Sequence, residues 1–365
     1  MVPARIVNAA LLLALSAAAQ DASPAAKPAA SLVVQLKSRR LDLDKAQLIV
    51  DALRTRKTRF RIQASAALRK QYLARQKAYE KDTARVFATL EAAAKQAQKA
   101  LLGVDGAGRV ASLRREALAV TRGKGLSKAA IKEQIDPRIQ QLKALLQPDF
   151  ADLLRADDDL DLALTDLRVA HTELRDWFRT YASATEGLEL HEDTQKHFTK
   201  LPMPNGPGDE RHIDDAIASA SFAGLPMPAS DRKALTANDA LRSATPHEEH
   251  LGTLELNRLR YLLGLSLVRI DPKLSDAARD HSKDMTNVGF FSHTSPVSGK
   301  RRFGQRAANF GTSASAENIA AGQRTGPGAI RAWWYSPGHH KNMLGGHGRT
   351  GLGQHGSMWT QMFGG

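Results

Sequence analysis

The chain has 365 residues, a formal net charge of +14 and no cysteine. Its length is sufficient for two domains with a sizeable core, and the absence of cysteine excludes disulfides and any thiol nucleophile or thiol metal ligand. The charge is unevenly distributed: residues 31–145 carry 26 Lys/Arg and 10 Asp/Glu, residues 146–250 carry 10 and 21, and residues 251–365 carry 14 and 6. This alternation argues against one uniform nucleic-acid surface and favours segments that attract each other.

The first residues have the composition of a secretory signal peptide. Arg5 provides the positive start, Ile6–Leu15 forms a short apolar core, and the alanines at 17–19 provide a cleavage signal. The apolar run is too short to span a bilayer as a mature helix, and an uncleaved N-terminal anchor is the alternative. We therefore expect residues 1–19 to be a cleavable signal peptide and the protein to be secreted, or to lie in the periplasm or cell envelope of a bacterium. Export also makes nucleic acid an unexpected partner.

Residues 20–31 are expected to form an Ala/Pro-rich linker, and residues 32–200 a helical, coiled-coil-like region. Neither glycine nor proline occurs from Leu41 to Leu102, and apolar residues recur there mostly at steps of three or four, as in an amphipathic helix. The segment Asp149–Glu189 is also helical in pattern but acidic. We hypothesise that the acidic helix packs antiparallel on the basic one, in an elongated hairpin or coiled coil through which the protein can self-associate. The alternative is two solvated faces that never meet.

Glycine and proline predict where the helices of this region end. Breaks are expected at Gly103–Gly108, Gly123–Gly125, Asp136-Pro137 and Gln147-Pro148. Residues 201–245 contain the stretches "LPMPNGPGDE" and "AGLPMPASD". Their proline content predicts a linker with at most one short helix, around His212–Ser221.

Residues 246–365 are expected to form a second domain, which begins with a capping box at the stretch "TPHE". In this box Thr245 is the N-cap, Pro246 the first helical residue and Glu248 the side chain that reaches back to the N-cap. The domain therefore begins with an amphipathic helix that continues to Leu263.

Further along, Asp271-Pro272 predicts the start of another helix and Gly289 its end. His281 lies on the apolar face of this helix and is predicted to be a hydrogen-bonded core histidine. The stretches "RTGLG" and "SMWTQMFG" predict two strands joined by a turn at "QHG". Trp333 and Trp334 are expected to pack in the core.

The order of motifs in this part of the chain resembles a known family. It reads "DPKLSDAARDHSKDM…FFSHTSP…FGQRA…AENIAAG…AIRAWW…SPGHHKNML…GLG…WTQMFG" and is similar to the CAP superfamily, also called the SCP or PR-1-like family, in its bacterial exported branch. The resemblance covers about residues 246–365, and nothing comparable covers residues 32–245. It implies that this part folds as a three-layer α-β-α sandwich with a shallow cleft. Together with the all-α helical region that precedes it, the chain is expected to have an α+β fold.

The resemblance also implies which side chains lie in the cleft. The S-H-T motif places His293 there, the glutamate of the E-N pair is Glu317, and the G-H motif places His339. At the last position of the family's W-x-x-E motif this chain has Ser336, so one carboxylate of the usual tetrad is missing. We expect His340 to lie on the opposite, solvent side of its helix or to pair locally.

Three chemical roles are open for this set. Two neutral imidazoles and the carboxylate of Glu317 suit Zn²⁺, with a fourth position for water, and zinc affinity would then fall below about pH 6. Alternatively, Glu317 accepts hydrogen bonds from both histidines and acts as a strut that fixes three loops. In the third role Glu317 is the general base, and hence the catalytic residue, of a hydrolase.

The functional hypotheses follow from these roles. The family resemblance favours a non-enzymatic binding module that engages a lipid, a polysaccharide or a protein. The alternatives are a zinc-dependent hydrolase of peptide or cell-wall material, and a structural protein that acts through its helical region. Other histidines are expected to be structural: "HEEH" at 247–250 lacks the spacing of a zinc protease motif, and His347 and His355 are predicted to be turn residues.

Overall fold

The computed structural model describes residues 58–185, 211–242 and 244–365. The predicted signal peptide, the Ala/Pro-rich linker and the start of the predicted coiled coil lie outside the described residues. The described chain divides into two compact units, one with residues 58–77 and 173–185 and the other with residues 78–172 and 211–365. None of the described helices combines the length and apolar character that crossing a membrane requires.

The N-terminal described part is helical, and most of its helices end where glycine and proline predict. In chain order the elements are α1 (Thr58–Leu102), α2 (Gly106–Arg122), α3 (Lys128–Ala130), a π-helical turn (Ile131–Ile135), α4 (Asp136–Leu146), α5 (Phe150–Ala156) and α6 (Asp158–Thr185). The break predicted at Asp136-Pro137 is wrong, because helical structure continues through it into α4. The π-helical turn lies where the proline ring would otherwise meet the carbonyl one turn earlier, which lets the helix accommodate Pro137.

The basic helix α1 and the acidic helix α6 are in contact. Arg75 donates to the carboxylate of Glu173 at 3.5 Å, and the rings of Tyr79 and His171 lie 5.9 Å apart. Tyr79 follows Arg75 in α1, whereas its partner His171 precedes Glu173 in α6. The two helices therefore run antiparallel at these contacts. The two faces therefore meet, although a coiled coil and self-association through residues 32–200 stay predictions.

Two helices occupy the described part of the predicted linker 201–245: α7 (Arg211–Ala223) and α8 (Ala229–Ala240). The prediction of at most one short helix there is wrong, because α8 is held by buried polar side chains that the sequence pattern does not reveal. Asp231 accepts from the backbone N–H of Leu267 at 3.1 Å. Asn238 accepts from the backbone N–H of Ile270 at 2.7 Å and donates to the backbone carbonyl of Val268 at 3.1 Å.

The C-terminal part has mixed structure. Its elements are α9 (His247–Leu262), β1 (Arg269–Ile270), α10 (Pro272–Val288), α11 (Phe303–Asn309), β2 (Ala316–Ala321), α12 (Gly326–Trp334), α13 (Pro337–Met343), β3 (Arg349–His355) and β4 (Met358–Gly364). The strand order is β1-β3-β4-β2, with β1 parallel to β3 and the other pairs antiparallel. The two predicted strands are confirmed as β3 and β4, and β1 and β2 are additional strands.

The sheet lies between two layers of helices, which confirms the predicted three-layer α-β-α sandwich. A Cβ atom on Gly351 or Gly353 would lie 2.2 or 2.1 Å from the backbone of α10, so these glycines allow α10 to pack directly on β3. The intervening Leu352 points to the other face, where its side chain contacts the backbone at Gly252 of α9. Alternate residues of one strand therefore face opposite layers.

The predicted capping box is not formed. Helix α9 has Pro246 as its N-cap, without a side-chain cap. Glu248 instead accepts a hydrogen bond at 3.0 Å from the backbone N–H of Gly326, at the start of α12. The carboxylate thus satisfies an otherwise unpaired N–H of a different helix, and it ties α9 to α12 rather than closing its own helix.

Residues 78–172 of the helical region lie in the same compact unit as the C-terminal sandwich, and hydrogen bonds join the two parts. Arg114 of α2 donates at 2.8 Å to the backbone carbonyls of both Tyr261 and Leu262, at the end of α9. Asp136 of α4 accepts from Trp334 Nε1 at 2.8 Å and from the Tyr335 hydroxyl at 2.9 Å.

We expect Asp136→Ala to lower the free energy of unfolding by about 2 kcal/mol or more, because the buried Trp334 and the half-buried Tyr335 would both lose their acceptor. The matched control is Asp105→Ala, since Asp105 precedes α2 without a side-chain cap hydrogen bond. Urea unfolding of both variants measures the effect. Equal stability of the two would show that the Asp136 contacts do not hold the helical region on the sandwich.

Candidate functional site

The candidate site lies at the edge strand β2, whose residues alternate between the two faces of the sheet. Glu317 pairs in register with Met362 and faces the layer of α10 and α11, whereas Asn318 pairs with Gln361 and faces the opposite layer. Glu317 is buried, with a side chain that is 1% exposed. A carboxylate in this position needs partners for both of its oxygens.

Two side chains supply those partners. Arg306 of α11, whose side chain is fully buried, donates from Nη2 to Glu317 Oε2 at 2.5 Å. His293, in the loop between α10 and α11, lies with Nδ1 2.9 Å from Glu317 Oε1. The side chain of His293 is 49% exposed, so one edge of its ring is anchored while the rest is open to solvent.

Arg306 also fixes the loop that carries His293. It donates to the backbone carbonyls of Lys300 at 2.7 Å, Arg301 at 3.3 Å and His293 at 3.2 Å. A single guanidinium therefore joins both ends of this loop to the sheet through Glu317. Its fork of N–H donors makes this possible, whereas a lysine ammonium would not match the geometry.

His339, near the start of α13, completes the cluster. Its ring centroid lies 6.1 Å from that of His293. His339 is half-buried, and burial lowers its pKa, with a further lowering from His293. Asn342 holds α13 against β2 by donating to the Glu317 carbonyl at 3.2 Å and to the Asn318 side chain at 2.9 Å.

The structure brings together three of the four predicted residues. His293 bonds to Glu317 and His339 lies beside His293, but no contact joins Ser336 to them within the described chain. Ser336 is the N-cap residue of α13 and forms no side-chain cap hydrogen bond. Arg306 and the two asparagines were not predicted. Arg306 closely follows the basic residues Lys300, Arg301 and Arg302 in the chain, and no sequence signal distinguishes it from them.

The prediction that His340 faces solvent is wrong. Its side chain is fully buried, with Nδ1 2.8 Å from the Trp334 carbonyl and Nε2 3.2 Å from the hydroxyl of Thr121 on α2. The contact with the Trp334 carbonyl agrees with the alternative, in which His340 pairs locally. Only His339 of the two adjacent histidines belongs to the cluster, because successive residues of a helix point about 100° apart and His340 thus faces Thr121 of the helical region.

Comparison with known proteins identifies this part of the chain. Residues 254–355 match the model of the family described as CAP, the cysteine-rich secretory protein family. The chain carries a bacterial CAP domain.

Two proteins of Bacillus subtilis (strain 168) are similar. An uncharacterized protein, YkwD, is 33% identical over 175 residues, which are 47% of this chain and 65% of that protein. An uncharacterized membrane protein, YlbC, is 31% identical over 108 residues, which are 29% of this chain and 31% of that protein. The matched part thus spans less than two thirds of either relative. A crystal structure of an extracellular protein containing an SCP domain, from Bacillus anthracis str. Ames, shares 28% identity over 38% of this chain and 44% of that chain, with a TM-score of 0.31.

The residues of this CAP domain do not fit a zinc ion well. Both oxygens of Glu317 are occupied, and its partner Arg306 is a buried cation that would repel a metal. Within residues 58–185, 211–242 and 244–365, no three His, Asp or Glu side chains converge as a metal site requires. The predicted strut is closer to the geometry, except that Glu317 pairs with His293 and Arg306 rather than with both histidines.

Two other histidines of the CAP domain, His281 and His347, have structural roles. His281 is fully buried on α10, as predicted, and lies with Nε2 3.1 Å from the carbonyl of Ser292, next to His293 in the chain. His347 stacks on Phe363 with ring centroids 4.7 Å apart, and its Nε2 lies 3.1 Å from the Asn342 carbonyl. Both therefore support segments that carry the cluster.

We expect His281 to make the stability of the CAP domain fall as the pH falls from about 6.5 to about 4. Burial lowers the pKa of His281 from 6.5 to about 4, so in this window the unfolded chain binds a proton that the folded chain does not. Above about pH 6.5 neither state binds it and the stability contribution is complete. Urea midpoints measured across this range should decline less steeply in His281→Gln than in the unchanged protein. Parallel curves for the two proteins would contradict the assignment.

Proposed function

We propose that the protein is an exported bacterial binding module, in which the CAP domain engages a lipid, polysaccharide or protein of the envelope or exterior without catalysing its cleavage. Export rests on the signal-peptide features of residues 1–19. The observation that carries the rest is the pairing of Glu317: its carboxylate is buried between Arg306 and His293 and is engaged at both oxygens.

A general base must reach the proton that it removes and must take it up. The side chain of Glu317 is only 1% exposed, and its protonation would leave the buried Arg306 without a counter-charge, which is strongly destabilising. Glu317 therefore acts as a strut. It joins the edge strand to the loop of residues 289–302 and holds the ring of His293 in one orientation.

The ligand-facing groups are then the two imidazoles. His293 is half exposed, and its Nδ1 is anchored on Glu317, which leaves Nε2 to a ligand. His339 lies beside it with a lowered pKa and is thus uncharged near neutral pH. Two adjacent rings of this kind offer hydrogen bonding and an apolar face together, a combination that is typical of ligand-binding sites.

The strut predicts that Glu317→Gln loses stability by about 3 kcal/mol or more, because Arg306 would be left buried without a counter-charge. The matched control is Glu116→Gln, which removes a carboxylate paired with Arg138 at 2.9 Å on the surface, where such pairs contribute little. Thermal and urea unfolding measure both variants. Calorimetric titration of the unchanged protein with zinc chloride near neutral pH should show no stoichiometric binding.

One bound zinc per chain, lost in both His293→Ala and His339→Ala, would contradict the strut and favour the hydrolase. Hydrolysis of casein or peptidoglycan that Glu317→Gln abolishes would do the same. For the binding role itself, the protein should sediment saturably with isolated bacterial envelopes in high salt, which screens the attraction of its net charge. Binding that is unchanged in both histidine variants would show that the cluster is not the binding face.

A further inference from the structure

A second candidate site lies where the helical region meets the CAP domain, away from the histidine cluster. It is a cavity of about 520 Å³ between α1, α4, α5, α6, α7 and α9. Most of its lining residues fall outside residues 254–355, the part that matches the CAP family model. The cavity is thus built largely by the helices that this chain adds to the CAP domain.

The floor of the cavity is apolar. The lining side chains that are buried in the protein are all hydrophobic, and they come from α1, α5, α7, α9 and the turn after α7. They are Ala94, Leu153, Ile217, Phe222, Leu225 and Leu262. A cavity with such walls gives water few hydrogen-bond partners and favours an apolar occupant.

The rim, in contrast, is basic. Lys143 and Arg168 are exposed at the edge of the cavity, and Arg258 and Glu255 are half-buried there, 3.7 Å apart. The rim therefore carries three cations and one anion, Glu255, which is already paired with Arg258. Within the described chain, no residue forms a hydrogen bond or ion pair with the ammonium of Lys143.

The walls are held in place by hydrogen bonds between the elements that form them. Gln98 of α1 is 1% exposed and donates to the carbonyl of Leu146 at 2.6 Å and to the hydroxyl of Tyr261 at 2.9 Å. The Tyr261 hydroxyl donates in turn to the carbonyl of Pro226 at 3.3 Å. These bonds fix α1, α4, α9 and the turn after α7 against one another, so the cavity is preformed.

We propose that this cavity binds an amphiphile with a single anionic head, a long-chain carboxylate, with its apolar chain on the floor and its head at Lys143. Its volume lies in the range of small-molecule sites, which are largely apolar with a few placed polar groups. Charge complementarity selects the anionic head, because the cations at the rim would repel a cationic one. Glu317, His293 and His339 do not line this cavity. A negative binding result here would therefore leave the proposed role of Glu317 as a strut untouched, and the reverse also holds.

The test uses the full chain after removal of co-purified lipid, titrated by calorimetry with tetradecanoate. One equivalent should bind, tetradecanol should bind about tenfold more weakly, and the tetradecyltrimethylammonium cation should bind more weakly still. Lys143→Glu should weaken tetradecanoate binding about tenfold or more, whereas Lys124→Glu, at an exposed turn residue outside the cavity, should not.

A second variant tests the floor. Ala218→Phe places a ring in the cavity and should abolish binding while the chain stays folded by circular dichroism. Its matched control is Ala111→Phe on the exposed face of α2, which should bind normally.

Three results would overturn the proposal. The first is the absence of saturable binding, and the second is binding that neither Lys143→Glu nor Ala218→Phe changes. The third is binding that appears only after deletion of residues 190–205, which would show that this segment of the chain fills the cavity instead.

Discussion

The buried ion pair between Arg306 and Glu317 is the interaction on which the site depends. Both side chains are almost fully removed from solvent, and each would be a costly isolated charge without the other. The pair joins a short helix to the edge strand of the sheet, and Arg306 also donates from Nη1 and Nη2 to the loop that carries His293. The buried ion pair therefore fixes the orientation of the half-exposed ring of His293.

The same contact bears on the three chemical roles that the residue types alone leave open. Two histidines and a glutamate suit a metal, a base or a strut equally well when only their identities are known. A guanidinium at 2.5 Å from the glutamate favours the strut that we propose, because it supplies the counter-charge of the carboxylate and binds one of its oxygens. The helical region adds a further constraint, since it packs on the CAP domain through Asp136 and Arg114. Both candidate sites therefore lie in one compact unit: the histidine cluster in the CAP domain, and the cavity where the helical region packs on it.

Features of the fold that local sequence patterns encode could be predicted, whereas features that depend on contacts between distant residues could not. The start of α10 at Asp271, its end at Gly289 and the strands β3 and β4 follow from caps, glycine and alternation within a few residues. The convergence of His293, Glu317 and His339 was predicted from the order of family motifs. Strand β2 was missed because its alanine-rich sequence has no strand pattern of its own and is set by pairing with β4. The burial of His340 depends on Thr121, more than two hundred positions earlier, and no local pattern encodes such a contact.

A double-mutant cycle on Arg306 and Glu317 tests the central claim most directly. It compares the free energies of unfolding of the unchanged protein, Arg306→Met, Glu317→Gln and the double variant in urea. We expect a coupling energy of about 2 kcal/mol or more. The double variant should then lose clearly less stability than the two single variants lose together. Losses that add within about 0.5 kcal/mol would show that the two side chains act independently, and would contradict Glu317 as the strut of the site.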